Sequence, residues 1–229
     1  DRSRSPHLQR QSGPAPRVDR GQRRPEGKLW AERAAEHRGD AARISRELRD
    51  NLIGRELWPW LEAGTRSFLA SAEAVFRAHR DDPNFDLSGA SISYSKAVET
   101  ELNALLFPAI RRTLKSKPPH EREIHVEGRL IDLGGEVPHQ TLGTIKNLLK
   151  HEAIVRGAVG RALAPERSWM LDVLTRELDA IIDLRNAGAH SETTSSLELE
   201  TIRRTILGIG REGLLGRMAY ARMRTVPRD

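Results

Sequence analysis

Apolar residues recur at steps of three and four along most of this chain, the spacing that places side chains on one face of a helix. Ala41, Ile44, Leu48 and Leu52 share one face of a short helix predicted over about 41–53, with Asp40 as its N-cap and Gly54 as its stop. Trp58-Pro59-Trp60 opens a second helix predicted to run to Arg80, striped by Leu61, Phe68, Leu69, Ala72 and Phe76. Asp81-Asp82-Pro83 ends it. A longer helix follows over about 90–116, carrying Tyr94, Val98, Leu102, Leu105, Ala109 and Ile110. Pro108 should kink or interrupt it, and Pro118-Pro119 closes it. The same period returns over about 140–163, over about 166–187 and over about 195–223, where Ser195 and Glu198 have the spacing of a capping box. Residues 120–139 break the pattern. Ile124-His125-Val126 and Leu130-Ile131-Asp132-Leu133 flank Glu127-Gly128-Arg129, and both a small hairpin and a plain loop insertion fit.

These elements predict an all-α fold, a bundle of four to five main helices with a small insertion at 120–139. Composition agrees, since Ala, Leu, Arg and Glu dominate and β-branched residues are sparse. Residues 1–28 stand apart. They are Arg, Pro, Gly, Ser and Gln with almost no apolar content, and carry eight basic residues against three acidic ones. Such a stretch cannot bury enough surface to offset its ordering entropy, so it reads as a disordered basic tail. It holds most of the chain's net charge of +6, and the remainder is close to neutral. A solvated linker is the ordinary reading of such a charge run, with loose nucleic-acid binding the other. The predicted organisation is a tail at 1–28, a linker and short helix at 29–56, and a helical domain at 57–229.

Chemistry is bounded next. There is no cysteine, which excludes a disulfide-stapled scaffold and any thiolate metal or redox site. No apolar run approaches the roughly 18 residues needed to span a bilayer, and no signal peptide opens the chain. A cytoplasmic protein with no membrane partner is expected. His120-Glu121-Arg122-Glu123-Ile124-His125 superficially resembles a zinc-protease helix, but its histidines are five apart, and two prolines precede it. Two ligands facing one ion need positions i and i+4. Gly208-Ile209-Gly210-Arg211-Glu212-Gly213 matches a dinucleotide fingerprint but lacks a preceding strand, and is expected to mark a bend in the last helix. No phosphate loop occurs. Neither a metal nor any other cofactor is expected.

One constellation remains. Leu171, Leu174, Leu178 and Ile181 repeat along the helix at 166–187, and the next position on that seam is Arg185. A guanidinium on an apolar stripe is costly unless it is paired or faces a polar cavity. His190 lies five residues on, roughly 140° away around an unbroken helix. Gly188 would permit a break that swings His190 back towards Arg185. The ordinary reading is a helix end, with Arg185 paired to an acid and Gly188 as a C-cap.

Arg185-Asn186-Ala187-Gly188-Ala189-His190, between the last two predicted helices, resembles the signature of the HEPN (higher eukaryotes and prokaryotes nucleotide-binding) domain family. In that family an Arg, commonly followed by a polar residue, is separated from a His by four to six intervening residues. Ser93-Tyr94-Ser95-Lys96-Ala97-Val98-Glu99-Thr100-Glu101-Leu102 resembles an earlier helix of some members. The resemblance covers about residues 57–223, and the 120–139 insertion departs from the minimal fold. Some family toxins carry a Tyr two residues after the His as a modification target, where this chain has Glu192. The resemblance implies a metal-independent endoribonuclease, in the manner of toxins and defence effectors, working as a homodimer on RNA. Arg185, Asn186 and His190 would be its catalytic residues. A sensor or regulatory domain, or a partner protein, is the further partner it suggests. Glu99 and Glu101 are candidate auxiliary contacts, with a helix-surface role the ordinary alternative. The competing class is a non-catalytic HEPN-like adaptor that dimerises or docks a partner.

Overall fold

The computed structural model describes residues 40–189, 193–210 and 212–225. These all lie in one unit, Gly39–Asp229. The basic stretch at 1–28 lies outside the described residues, as does His190.

The fold is all-α apart from one two-stranded sheet. Helix α1 covers 40–53, its last turns, Leu48–Ile53, wound as a π-helix. Gly54, at φ 96°, ends it in a conformation that glycine adopts without steric cost. Ile44, Leu48 and Ile53 are buried in the same core as the later helices, so α1 is part of that core. Trp58–Trp60 forms a separate 3₁₀ turn. Helix α2, Ala63–His79, therefore begins later than the stripe suggests, because Leu61 is extended.

Helix α3, Ser88–Leu114, is the axis of the fold. It packs against α2, α4 (Leu142–His151), α5 (Ala153–Ala162), α6 (Leu174–Ala189), α7 (Ser196–Leu207) and α8 (Leu214–Thr225). Sixteen of its residues are buried, which is what a helix covered on most sides requires. Pro108 does not interrupt α3. It sits on an exposed position, where the carbonyl it deprives of a donor can meet solvent.

The 120–139 segment is a hairpin. β1, Glu123–Val126, pairs antiparallel with β2, Arg129–Asp132, in the register Val126 to Arg129. Glu127 and Gly128 have φ of 50° and 78°, as a two-residue turn with both central residues left-handed demands. Ile124 and Leu133 tie the hairpin to the core.

Two of the expected long helices are each two helices. The stretch at 140–163 breaks at Glu152, which is extended and whose carboxylate accepts from the Ile154 amide to cap α5. Apolar spacing survives the break, since Leu149 and Val155 are both buried, and that is why periodicity alone ran through it. The stretch at 195–223 breaks at the glycine cluster. Gly208 is left-handed and C-caps α7, and a side chain at Gly213 would come within 2.5 Å of the Gly208 nitrogen. The cluster is a tight turn between α7 and α8, not a bend. The capping box at Ser195 and Glu198 is present as the spacing predicts.

Candidate functional site

The seam read from the sequence lies along α6 and the π-helical segment before it, Trp169–Val173. Leu171, Leu174, Leu178 and Ile181 are all buried. Each such side chain contributes about 1.5–3 kcal/mol by leaving water. The seam then reaches Arg185, which is half-buried. Arg77 and Arg203 bind Glu73, Arg222 binds Glu101 and Glu62, and Arg217 binds Glu166. Arg122 pairs with Asp132, Arg49 with Asp50, and Arg66 and Arg156 donate to backbone carbonyls. Among the described residues, Arg185 is the single half-buried arginine that makes no hydrogen bond or ion pair. No described acid pairs with Arg185 in the way the helix-end reading expected.

Asn186 is exposed on the next position. α6 does not break at Gly188. It continues through Ala189, so the expected swing of the chain at this glycine does not occur. Gly188 answers a different need. A Cβ there would lie 3.0 Å from both the Cβ and Oγ of Ser88 and 3.2 Å from Thr194 Oγ1. The glycine lets α6 approach the first turn of α3.

That first turn is held by Asp86. Its carboxylate accepts from the Ser88 amide and hydroxyl and, across the molecule, from the Thr194 amide at 3.1 Å. The Leu87 amide donates to the Thr194 carbonyl. The Ser88 hydroxyl, with the Ser88 and Thr194 amides, holds the Asp86 carboxyl below the usual carboxylate range. Gly188 and Thr194, on either side of the motif's His position, are therefore both fixed to the N-terminus of α3. Sequence reasoning missed this anchor. Asp86-Leu87-Ser88 was its signal, a side chain that can accept from the amide two residues on.

Glu99 and Glu101 are buried, not surface acids. Glu99 takes Lys96 at 3.1 Å and accepts from the Leu142 amide, capping the first turn of α4. Glu101 accepts from the Glu62 amide and the Thr65 hydroxyl and pairs with Arg222 at 2.7 Å, joining α2 and α8 to α3. Neither contacts Arg185 or Asn186 in any hydrogen bond or ion pair. A third buried acid, Glu73, was not singled out from the sequence. It receives the Tyr94 hydroxyl, Arg203 and Arg77, and Arg77 also pairs with Glu47 of α1. Burial alone would raise the Glu73 pKa, but Arg203, Tyr94 and Arg77 more than offset it, and the carboxyl titrates below its ordinary value. Its signal was a charge at the fourth position after Leu69, inside the α2 stripe.

His120 lies in a 3₁₀ turn and His125 in a strand, so the two do not share a helix. Among the described residues no three His, Asp or Glu side chains converge as a metal site would need. No described helix is long and apolar enough to cross a membrane. No family model, curated protein or solved structure matches the chain.

Proposed function

We propose that this protein is a metal-independent endoribonuclease whose chemistry rests on Arg185, Asn186 and His190, acting as a homodimer. The observation that carries the reading is Arg185, which is unpaired among the described residues. A guanidinium kept half-buried without an acid leaves its fork of donors free for a phosphoryl group. In this reading the RNA 2′-hydroxyl attacks the adjacent phosphorus and the 5′-oxygen leaves. His190 moves the proton, since imidazole titrates near neutral pH. Arg185 stabilises the charge that builds on the non-bridging oxygens. Asn186, exposed beside it, orients the phosphate or the imidazole. One His per motif is thin equipment for two proton transfers, and a second copy would supply the other. Leu197, 78% exposed in the first turn of α7, offers apolar surface beside the motif in sequence for such a contact.

The products would be a 2′,3′-cyclic phosphate and a 5′-hydroxyl. The test is cleavage of labelled RNA in excess chelator, beside a matched substrate with a 2′-deoxy group at the cut site. Cleavage should persist in chelator and stop on the deoxy substrate. His190→Ala should lose on the order of 10²-fold or more of activity. Activity abolished by chelator, or unchanged on the deoxy substrate, would sink the mechanism. A wild-type protein that cuts no RNA would point to the adaptor class, and sedimentation as a monomer at micromolar concentration would remove the dimer.

A further inference from the structure

Between α3 and the loop at 134–139 runs a groove of about 660 Å³, within the 300–1,000 Å³ range of small-molecule sites. Two ties set its walls. Gln140 exchanges backbone hydrogen bonds with the Asn103 side chain at one end, and Arg122, packed on Gly134, donates to the Lys115 carbonyl at the other. The loop therefore runs antiparallel to α3 beside it.

The groove is polar at its ends and apolar in the middle. Phe107, Pro108 and Val137 line the middle. Pro108 has no amide hydrogen, so the carbonyl of Ala104, a residue that also lines the groove, loses its helical donor. Arg111 and Lys115 follow one and two turns on, exposed, with no side-chain hydrogen bond or ion pair to any described residue. Two acids line the groove, Glu62, already paired with Arg222, and the exposed Glu136, against three cations, since Arg112 joins Arg111 and Lys115. Two free cations beside an apolar trough ask for an anion that carries an apolar body. The chain's own N-terminal stretch is basic and has almost no apolar content, the wrong chemistry for this groove.

We propose that this groove binds a small amphipathic organic anion, its carboxylate or phosphate head on Arg111 and Lys115 and its apolar body against Phe107, Pro108 and Val137. The head alone would find only exposed, well-hydrated cations, and salt would screen it. The body alone would leave those cations unused. Affinity should therefore need both parts.

The test uses the full chain and 8-anilinonaphthalene-1-sulfonate as a fluorescent amphipathic anion. It should bind with one-to-one saturation. Decanoate and 1-naphthyl phosphate should each displace it, and their relative potency tells a carboxylate source from a phosphate source. Inorganic phosphate and 1-naphthalenemethanol should displace it at least 10-fold less well. Arg111→Ala with Lys115→Ala should weaken both anions 10-fold or more and leave the neutral alcohol unchanged. Both residues are exposed, so the pair should fold as the parent does, which a matching thermal melt would verify. Inorganic phosphate competing as well as the amphiphiles would reduce the site to a simple anion patch. The neutral alcohol competing equally, or the double variant binding unchanged, would reduce it to an apolar surface. Absence of saturable binding would remove the site.

Discussion

At the scale of single residues, burial and pairing separate two kinds of charge in this protein. Glu73, Glu99 and Glu101 are buried and fully engaged, whereas Arg185 is half-buried and unengaged. A paired buried charge supports the fold only while its partner remains, and breaking such a pair costs on the order of 3–5 kcal/mol. An unpaired half-buried cation supports nothing in the isolated chain. Arg185→Leu, which simply continues the apolar seam, should leave stability within about 0.5 kcal/mol of the parent or raise it. The same variant should lose on the order of 10²-fold in RNA cleavage if the guanidinium serves the transition state. Chemical denaturation beside the nuclease assay measures both. A loss above about 2 kcal/mol would place Arg185 among the structural charges instead.

At the scale of elements, the junction between α6 and α3 depends on a missing side chain. Alanine is the better helix former by roughly 1 kcal/mol, so Gly188→Ala would be stabilising on an open face. Here the new methyl meets Ser88, which is itself held by Asp86 and lies near the Thr194 hydroxyl. Because Ser88 cannot turn away cheaply, the substitution should destabilise by about 1–3 kcal/mol through overpacking. Adding Ser88→Gly should relieve the clash, so the two changes should couple and the double variant recover part of the loss. Additive effects in a denaturation cycle would show that the helices do not meet there as described. The same logic explains the turn between α7 and α8, where Gly213 backs directly onto the backbone of Leu207 and Gly208.

At the scale of the whole molecule, three buried carboxylates on α2 and α3 tie the outer elements to the centre. Glu73 gathers α3 and α7 and, through Arg77, α1. Glu99 holds α4, and Glu101 holds α8. At Glu73 this tie makes stability depend on pH. Its folded pKa lies below the ordinary 4.5 because Arg203, Tyr94 and Arg77 outweigh its burial. A depressed folded pKa contributes stability that is fully present above the unfolded value and is lost as pH falls through the folded one. Denaturant unfolding from pH 7 to pH 3 should show stability falling below about pH 4.5. Glu73→Gln should be less stable at neutral pH by on the order of 3–5 kcal/mol, and its stability should fall less steeply with acid. An unchanged acid slope in that variant would show that Glu73 contributes nothing to the linkage.

Helical class, the capping box at Ser195, the stop at Gly54 and the place of Arg185 on an apolar seam were all determined by the sequence itself. Each depends on residues within a turn or two of one another, so spacing carries the information. The breaks at Glu152 and Gly208 escaped that reading because buried apolar spacing continues on both sides of them. Tertiary structure alone decided that Glu99 and Glu101 are buried, since their partners lie on α2, α4 and α8. It alone decided that Gly188 packs rather than bends, because the reason is Ser88, a hundred residues earlier. It also decided that Arg185 meets no acid among the described residues. Local sequence fixes which face a side chain occupies, but what waits opposite that face depends on segments the chain brings in from far away.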